Sequence, residues 1–549
     1  MTEPPSKLRV ALAQIDPTVG DIEGNERLIG DAIARAREGG ADLVVLPEQS
    51  VAGYPAEDLY LKRHFAEASR AALDRLARDT TEIAALVGFP EQADVELGRR
   101  RDGPAPPPVH NSLALLAGGE VAAIHRKNLL PNYGVFDEVR YFVPGNRPTV
   151  AEIAGVKIGL TICEDLWEPG PPGSLEADAG AELIVNASGS PYLLGKGADR
   201  EEMFSARARA YGVPIVFCNL VGGQDDLIFD GHSFVVDASG EIVARARQFA
   251  EDLLIWDLGG GPARIEPPLG KLDEVYAALV LGVRDYAAKN GFERLLVGLS
   301  GGIDSALVAL IAADAVGAER LTCVVMPSPF SSEATQADAR AIARNLGAEL
   351  IELPIAPAMQ AYGEVLGDAW SGTGLAAENV QARIRGNLLM ALSNDRGALV
   401  LATGNKSETS VGYSTLYGDM AGGLSVIKDV PKQLVYDLVE HRDSQATAPI
   451  VPRSVLERPP SAELRADQRD EDSLPAYDLL DRVLEGYIER DRSRAELIEE
   501  GLPADVVEDV IRMVDRAEYK RRQAAPGLRI TSKAFGRDRR LPITNRFSE

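Results

Sequence analysis

The sequence predicts an α/β protein in two parts: a packed α/β sandwich, then a doubly wound parallel sheet. Three observations predict this. Apolar runs of strand length alternate with helical runs along most of the 549 residues. A Gly- and Pro-rich stretch, GGGPARIEPPLG at 259–270, interrupts the pattern and reads as a linker. After it the order is strand, helix, strand, helix, which builds a parallel sheet. The expected division is 1–258, a linker at 259–270, and 271–549.

The first part opens on an alternating strand at 7–13. A helix at 25–37 follows, ending at Gly39–Gly40. ADLVVLPE is a buried strand with a Pro stop, and Glu48 stands just past it. A strand is expected at 84–89, and a charged, Pro-rich loop at 100–109. Strands at 113–116 and 121–125 form a hairpin across Gly118–Gly119. Lys127 follows the second at once. The strand at 157–162 runs into Cys163, and ELIVNAS, PIVFCN and SFVVD continue the pattern to about residue 237.

Glu48, Lys127 and Cys163 thus each follow a strand, and strand ends of a layered sheet converge on one rim. A thiol attacks a carbonyl carbon when a base takes its proton and a cation steadies the oxyanion. Taken singly, each has a plainer reading: a small buried Cys, or a solvated Glu or Lys. His110 and His125 read as structural.

In the second part, an amphipathic helix over KLDEVYAALVLGVRDYAAKNG leads to a strand at 295–297. Then comes GLSGGIDS, closed by a helix at 306–316 and Gly317. A loop between a strand and a helix N-terminus presents N–H groups to an anion. The string begins at Gly298, and its Gly301 and Gly302 let backbone approach a bulky charged ligand. Ser300 and Ser305 supply hydroxyls, Asp304 a carboxylate suited to Mg2+ beside phosphates, and Leu299 and Ile303 complete the string. This is not the G-x-x-x-x-G-K-[ST] loop. Further strands are expected at LTCVVMP, ELIELPI and 398–402, and helices at 333–345 and 378–392. Thr403 and Glu408 fall at the last strand end. The stretch 443–475, with five prolines, reads as a disordered loop or as a functional lid.

Composition bounds the function. The net charge of −25 opposes a nucleic-acid or anionic-membrane surface. Cys163, Cys218 and Cys323, far apart and odd in number, suggest neither a disulfide framework nor a Cys zinc site. A reducing cytoplasm fits. No signal-peptide core and no run of about 20 apolar residues occurs.

The motifs resemble known families. SGGxDS is similar to the pyrophosphate loop of the ATP pyrophosphatases, which adenylate a substrate. LPE, HRKNLLPNYGVFDE and TICEDLW together resemble the nitrilase family, over roughly 7–258. That resemblance implies an αββα sandwich, with Glu48 as base, Lys127 as oxyanion partner, Cys163 as nucleophile and Glu138 as a second carboxylate holding the site. The pairing, with ENVQARIRGN, ATGNKSE, SAELRADQRDEDSLPAYDLLD and the tail YKRRQAAPGLRITSKAFGRDRRLPI, resembles the glutamine-dependent NAD+ synthetases.

That resemblance implies ATP-dependent amidation of deamido-NAD+ to NAD+ through an adenylated intermediate. Ammonia from glutamine would be channelled between sites, and AMP, pyrophosphate and glutamate released. Tyr133, Ser190 and Lys196 would bind glutamine. Residues 298–305 and Thr403 would bind ATP, and Asp304 and Glu408 would be Mg2+ ligands. Asn379, Glu408 and Lys520 would bind deamido-NAD+, with Asp419 and Lys432 near the reacting carboxyl and ammonia. By residue type alone, Lys520 in EYKRR reads as a solvated helix cap. Small-molecule substrates, no tightly bound prosthetic group and a homo-oligomer are implied. The alternative is another glutamine-dependent amidotransferase with the same ATP chemistry and a different acceptor.

Overall fold

The computed structural model describes residues 8–93 and 109–547. Lys7 and most of the loop expected at 100–109 lie outside the described residues. The chain divides into two compact units, Met1–Glu274 and Val275–Glu549, with the boundary inside the helix Lys271–Lys289.

Among the described residues the first unit holds fourteen strands: β1 (Leu8–Gln14), β2 (Leu43–Val45), β3 (Ala84–Gln92), β4 (Val109–Ala117), β5 (Glu120–Arg126), β6 (Val150–Ile153), β7 (Val156–Ile162), β8 (Leu183–Ser188), β9 (Ile215–Asn219), β10 (Val221–Gln224), β11 (Leu227–Asp230), β12 (Phe234–Val236), β13 (Ile242–Arg245) and β14 (Asp252–Leu258). Two six-stranded sheets form, in the orders β14-β1-β2-β3-β4-β5 and β13-β12-β9-β8-β7-β6.

The strand period of two decides the layers. Leu8, Val10 and Leu12 of β1 join Ile158 and Leu160 of β7 in a core between the sheets. The alternate residues Ala11 and Ala13 pack against Ile29, Ile33, Leu73 and Leu76 of the helices Ile22–Glu38 and Arg63–Arg78. On the far face, Phe204 and Ala208 of the helix Lys196–Tyr211 cover Phe217 and Phe234. The result is the αββα sandwich. The β4–β5 hairpin is longer than periodicity suggested, and Gly118 and Gly119 take φ of 63° and 86° at its turn. The stretch 259–270 is laid along β13: Ala263 N donates to Val243 O at 2.8 Å and Glu266 N to Arg245 O at 3.1 Å.

The second unit is built on β15 (Arg294–Gly298), β16 (Leu321–Val325), β17 (Glu349–Glu352), β18 (Ala398–Ala402) and β19 (Leu424–Ser425). All pair in parallel, in the order β17-β16-β15-β18-β19. The chain leaves β15 to one side for β16 and later returns to the other side as β18. The loops after β15 and β18 therefore diverge, and a crevice opens at the carboxyl edge between them. The helix Ile303–Val316 is apolar on nearly every side because it is buried between sheet and neighbouring helices.

A helical subdomain, Tyr477–Leu484, Arg494–Glu499 and Ala504–Arg516, has its own core around Leu480, Val483, Leu497 and Val510. Residues 443–475 are packed: they contain the short helix Arg453–Glu457, and Val451 and Val455 are buried. Among the described residues no helix is long and apolar enough to cross a membrane.

Candidate active sites

The first site lies at the rim of the sandwich, where β2, β5 and β7 end. Lys127 is 1 % exposed, and its Nζ donates to Glu48 Oε1 at 2.8 Å and to Glu138 Oε1 at 2.9 Å. Glu48 is fixed from three directions: Asn111 Nδ2 also donates to Oε1 at 2.7 Å, and Gly189 N to Oε2 at 2.8 Å. A Cβ at 189 would lie 2.9 Å from Tyr54 Cδ1 and 3.1 Å from Glu48 Oε2, so a side chain there would press on both. Tyr54 Oη donates to Glu138 Oε1 at 2.9 Å.

Burial pushes Glu138 up to about 7, with Lys127 pulling it back. Burial also lowers Lys127, but Glu138 and Glu48 outweigh it and hold the ammonium well above its ordinary value. Lys127 is therefore a permanent cation in a dry place.

Cys163 is buried, with φ of 42°, at the start of the short turn Cys163–Leu166. Burial and then the charge of Glu48 push its thiol well up, and Lys127 pulls it down without compensating. The three groups of the expected triad thus act electrostatically on one another. At rest the thiol keeps its proton, so nucleophilic attack requires that proton to pass to a neighbouring base.

Ser190, Tyr133 and Lys196 are the residues expected to bind glutamine. Ser190 is 1 % exposed, and its Oγ has no partner among the described residues. Tyr133, 56 % exposed, donates to both oxygens of Glu164 at 3.0 Å. Lys196 Nζ donates to Pro191 O at 3.1 Å and lies 5.1 Å from the centre of the Trp167 ring. Glu164 was not singled out from sequence, although it is the residue after Cys163. Its carboxyl is raised by burial and partly relieved by Tyr133. His110 and His125 are inside, bonded to Val143 O and to Thr149 and Asp165.

The second site is a cavity of about 310 Å3 at the carboxyl edge of the parallel sheet. All of residues 298–305 line it, with Thr403, Glu408, Asp419 and Lys432. Gly301 takes φ of 85°, and a Cβ there would lie 2.1 Å from Thr335 O. Ser300 Oγ accepts from Gly302 N at 3.2 Å and pairs with Ser305 Oγ at 3.0 Å, so the loop is shaped before any ligand arrives.

Lys432 Nζ donates to Asp304 Oδ2 at 2.5 Å and to Glu408 Oε1 at 3.2 Å. Asn405 Nδ2 donates to Asp304 Oδ1 at 2.8 Å, and Asn405 Oδ1 accepts from Glu408 N at 2.9 Å. Burial pushes Glu408 up to about 7, with Lys432 opposing. The pair Asp304 and Glu408 already holds one cation between them, which fits Mg2+ bound by two carboxylates and completed by phosphate oxygens. Among the described residues no group of three or more His, Cys, Asp or Glu forms a self-sufficient metal site.

Asn379 and Lys520 do not line the cavity. Asn379 Oδ1 accepts from Thr415 Oγ1 at 2.8 Å, and Thr415 N donates to Asp419 Oδ1 at 2.6 Å. Lys520 is no solvated cap: its Nζ donates to Gly412 O at 2.6 Å and Ser414 O at 2.7 Å, and burial lowers it. Both residues brace one loop, 412–419, which delivers Asp419 to the cavity.

Sequence reading missed three charged residues of this site. Arg385 lines the cavity, donates through Nε to Met326 O at 3.0 Å, and is lowered to about 10 by burial. Arg458 donates to Gly301 O at 3.3 Å and pairs with Asp338. Glu463 accepts from Thr335 Oγ1 at 2.9 Å. The last two belong to 443–475, which the structure folds over the phosphate loop as a strap. Arg385 sits in ENVQARIRGN, where its inward face could have been found by helical spacing.

Two family models match the chain. The carbon-nitrogen hydrolase model covers residues 9–259, and the NAD synthase model covers 275–524. The chain is 43% identical to the glutamine-dependent NAD(+) synthetase of Thermotoga maritima, covering 99% of each chain. It is also 43% identical to that of Acinetobacter baylyi, covering 98% of each. Among solved structures, it is similar to the enzyme of Acinetobacter baumannii in complex with adenosine diphosphate, with TM-score 0.76 and 42% identity over 98% of both chains. A glutamine-dependent NAD(+) synthetase of Cytophaga hutchinsonii shares the fold, with TM-score 0.83 at 23% identity.

Proposed function

The chain belongs to the glutamine-dependent NAD+ synthetases, and from that premise we propose how its two sites share the work. The Cys163 thiol attacks the side-chain amide carbon of glutamine. Glu48 takes the thiol proton and returns it to the leaving nitrogen, while Lys127 holds the oxyanion. Ammonia leaves, and water releases glutamate from the thioester. Glu138 keeps Lys127 charged and aimed. Tyr133, Ser190 and Lys196 bind glutamine, and the unpartnered Ser190 hydroxyl supports that placement.

In the second unit, the N–H groups of residues 298–305 hold the phosphates of ATP, with Thr403 beside them. The nicotinate carboxylate of deamido-NAD+ attacks the α-phosphorus, and pyrophosphate departs. Asp304 and Glu408 would hold Mg2+, which would supply neutralisation of the phosphate charge. Ammonia then displaces AMP from the mixed anhydride and gives NAD+. Asp419 and Lys432 lie near the reacting carboxyl, and Asn379, Glu408 and Lys520 serve the deamido-NAD+ side. Adenylation is needed because a bare carboxylate repels nucleophiles and lacks a leaving group. Ammonia protonated in bulk water would lose its lone pair, so it passes to the second site shielded from solvent. The protein works in the cytoplasm as a homo-oligomer.

The observation that carries the reading is Lys127, buried between Glu48 and Glu138 with its charge felt by the Cys163 thiol. Replacing Cys163 with Ala should abolish NAD+ synthesis from glutamine and leave synthesis from ammonium intact. Loss of both, or of neither, overturns the assignment.

A further inference from the structure

Asp165 stands two residues after Cys163, inside TICEDLW, and is fully buried. Its Oδ1 accepts from the N–H groups of Asn128 and Leu129, both at 2.9 Å. Its Oδ2 accepts from the N–H of Ile162 and from Nε2 of His125, both at 3.0 Å. Asn128 and Leu129 directly follow Lys127, and Ile162 directly precedes Cys163. One carboxylate therefore ties the backbone that carries the ammonium to the backbone that carries the thiol.

That backbone needs holding. Cys163 has φ of 42°, in the left-handed region that a residue with a side chain enters only at a cost. Asp165 fixes the peptide N–H before it, and Asn186 Nδ2 donates to the Cys163 carbonyl after it at 3.2 Å. His125, fully buried, must be a donor at Nε2 because Asp165 offers only acceptors. Its Nδ1 meets the Thr149 hydroxyl 3.1 Å away, which fixes the plane of the ring.

We propose that Asp165, with His125 as its fixed donor, is a positioning residue of the glutaminase reaction. It sets where the Lys127 ammonium stands relative to the Cys163 thiol. The proposal rests on the roles given to Lys127 and Cys163 above. The donor count explains the residue type: a carboxylate has about four acceptor sites, and four donors fill them here. An Asn would turn an amide N–H2 toward backbone N–H groups.

The test uses the full-length protein with Asp165→Asn, His125→Leu and His125→Gln. Glutamine hydrolysis, alkylation of Cys163 by iodoacetamide, and ammonium-supported NAD+ synthesis are each followed. Misplacing the oxyanion donor should lower kcat about 100-fold in Asp165→Asn, with KM for glutamine within about threefold. His125→Leu should fall in the same direction. His125→Gln, which keeps an N–H donor toward Asp165, should recover most of the rate. Alkylation needs no oxyanion, so it should fall less than hydrolysis, and ammonium-supported synthesis should stay within about threefold in all three variants. Hydrolysis unchanged in Asp165→Asn and His125→Leu overturns the proposal. So does a parallel loss of all three readouts, which would mark Asp165 as a fold residue only. Cys163→Ala run alongside keeps the premise separate: hydrolysis persisting in that variant would sink the nucleophile assignment itself.

Discussion

Lys432 Nζ lies 2.5 Å from Asp304 Oδ2 and also reaches Glu408, so one buried ammonium stands where two carboxylates would repel each other. Replacing Lys432 with Met leaves those carboxylates facing with nothing between them, a change that costs about 3–5 kcal/mol when a buried pair is broken. The melting temperature should fall. Added Mg2+ should raise it more in the variant than in the unaltered protein, because the cation takes the empty place. NAD+ synthesis from either nitrogen source should drop at least about 100-fold. Glutamine hydrolysis without ATP should stay. Thermal scans with and without Mg2+ check the first pair of outcomes, and the lack of any Mg2+ shift in the variant would refute the cation-site reading.

A second expectation concerns pH and a buried carboxyl beside Thr149, the residue that also meets His125. Glu176 is fully buried, its Oε1 accepts from Thr149 N at 3.1 Å, and its other oxygen has no partner among the described residues. Burial pushes it from the ordinary 4.5 up to about 9. Between those values the folded chain keeps a proton that the unfolded chain has released. The unfolded state binds fewer protons there, so stability falls as pH rises through this window. Below about 4.5 the penalty is absent, and above about 9 it is fully present. Glu176→Gln removes the titration. The variant's melting temperature, compared with the parent at pH 5, 7 and 9, should gain steadily as pH rises. A constant difference across that range would disprove the raised carboxyl.

The fold was largely legible because burial on one or both faces writes a period into the sequence. β1 shows its two faces in Leu8, Val10 and Leu12 against Ala11 and Ala13. The loop at 298–305 was legible because only Gly serves at Gly301, where φ is 85° and Thr335 O closes off a side chain. The strap was half legible. Its prolines mark irregular chain, but its placement depends on Arg458 meeting Asp338 and Gly301, contacts distant in sequence that no local period encodes. Asp165 was illegible for a related reason. Its partners are backbone N–H groups, which every residue but Pro carries, so nothing in the partner sequence advertises them. Lys520 shows the opposite case: by residue type alone its basic neighbours suggest solvent, whereas two carbonyls of 412–419 hold it.

The strap supplies the last expectation. Arg458 links 443–475 to the phosphate loop through Gly301 O and to the helix Glu333–Leu346 through Asp338. Glu463, five residues on, accepts from Thr335 Oγ1 at the start of that helix. A guanidinium in this place holds the strap over the cavity and sets a positive charge beside the loop that receives phosphates. Arg458→Ala should loosen both, raising KM for ATP about tenfold while KM for glutamine in the hydrolysis assay stays unchanged. Arg458→Lys keeps the charge but loses the fork that reaches Gly301 and Asp338 together, so it should recover only part of the loss. Steady-state kinetics with ammonium as nitrogen source isolate this effect from the glutaminase. Full recovery by Lys would mean that charge alone matters and that the strap's attachment does not. An unchanged KM for ATP in Arg458→Ala would remove the strap from nucleotide binding altogether.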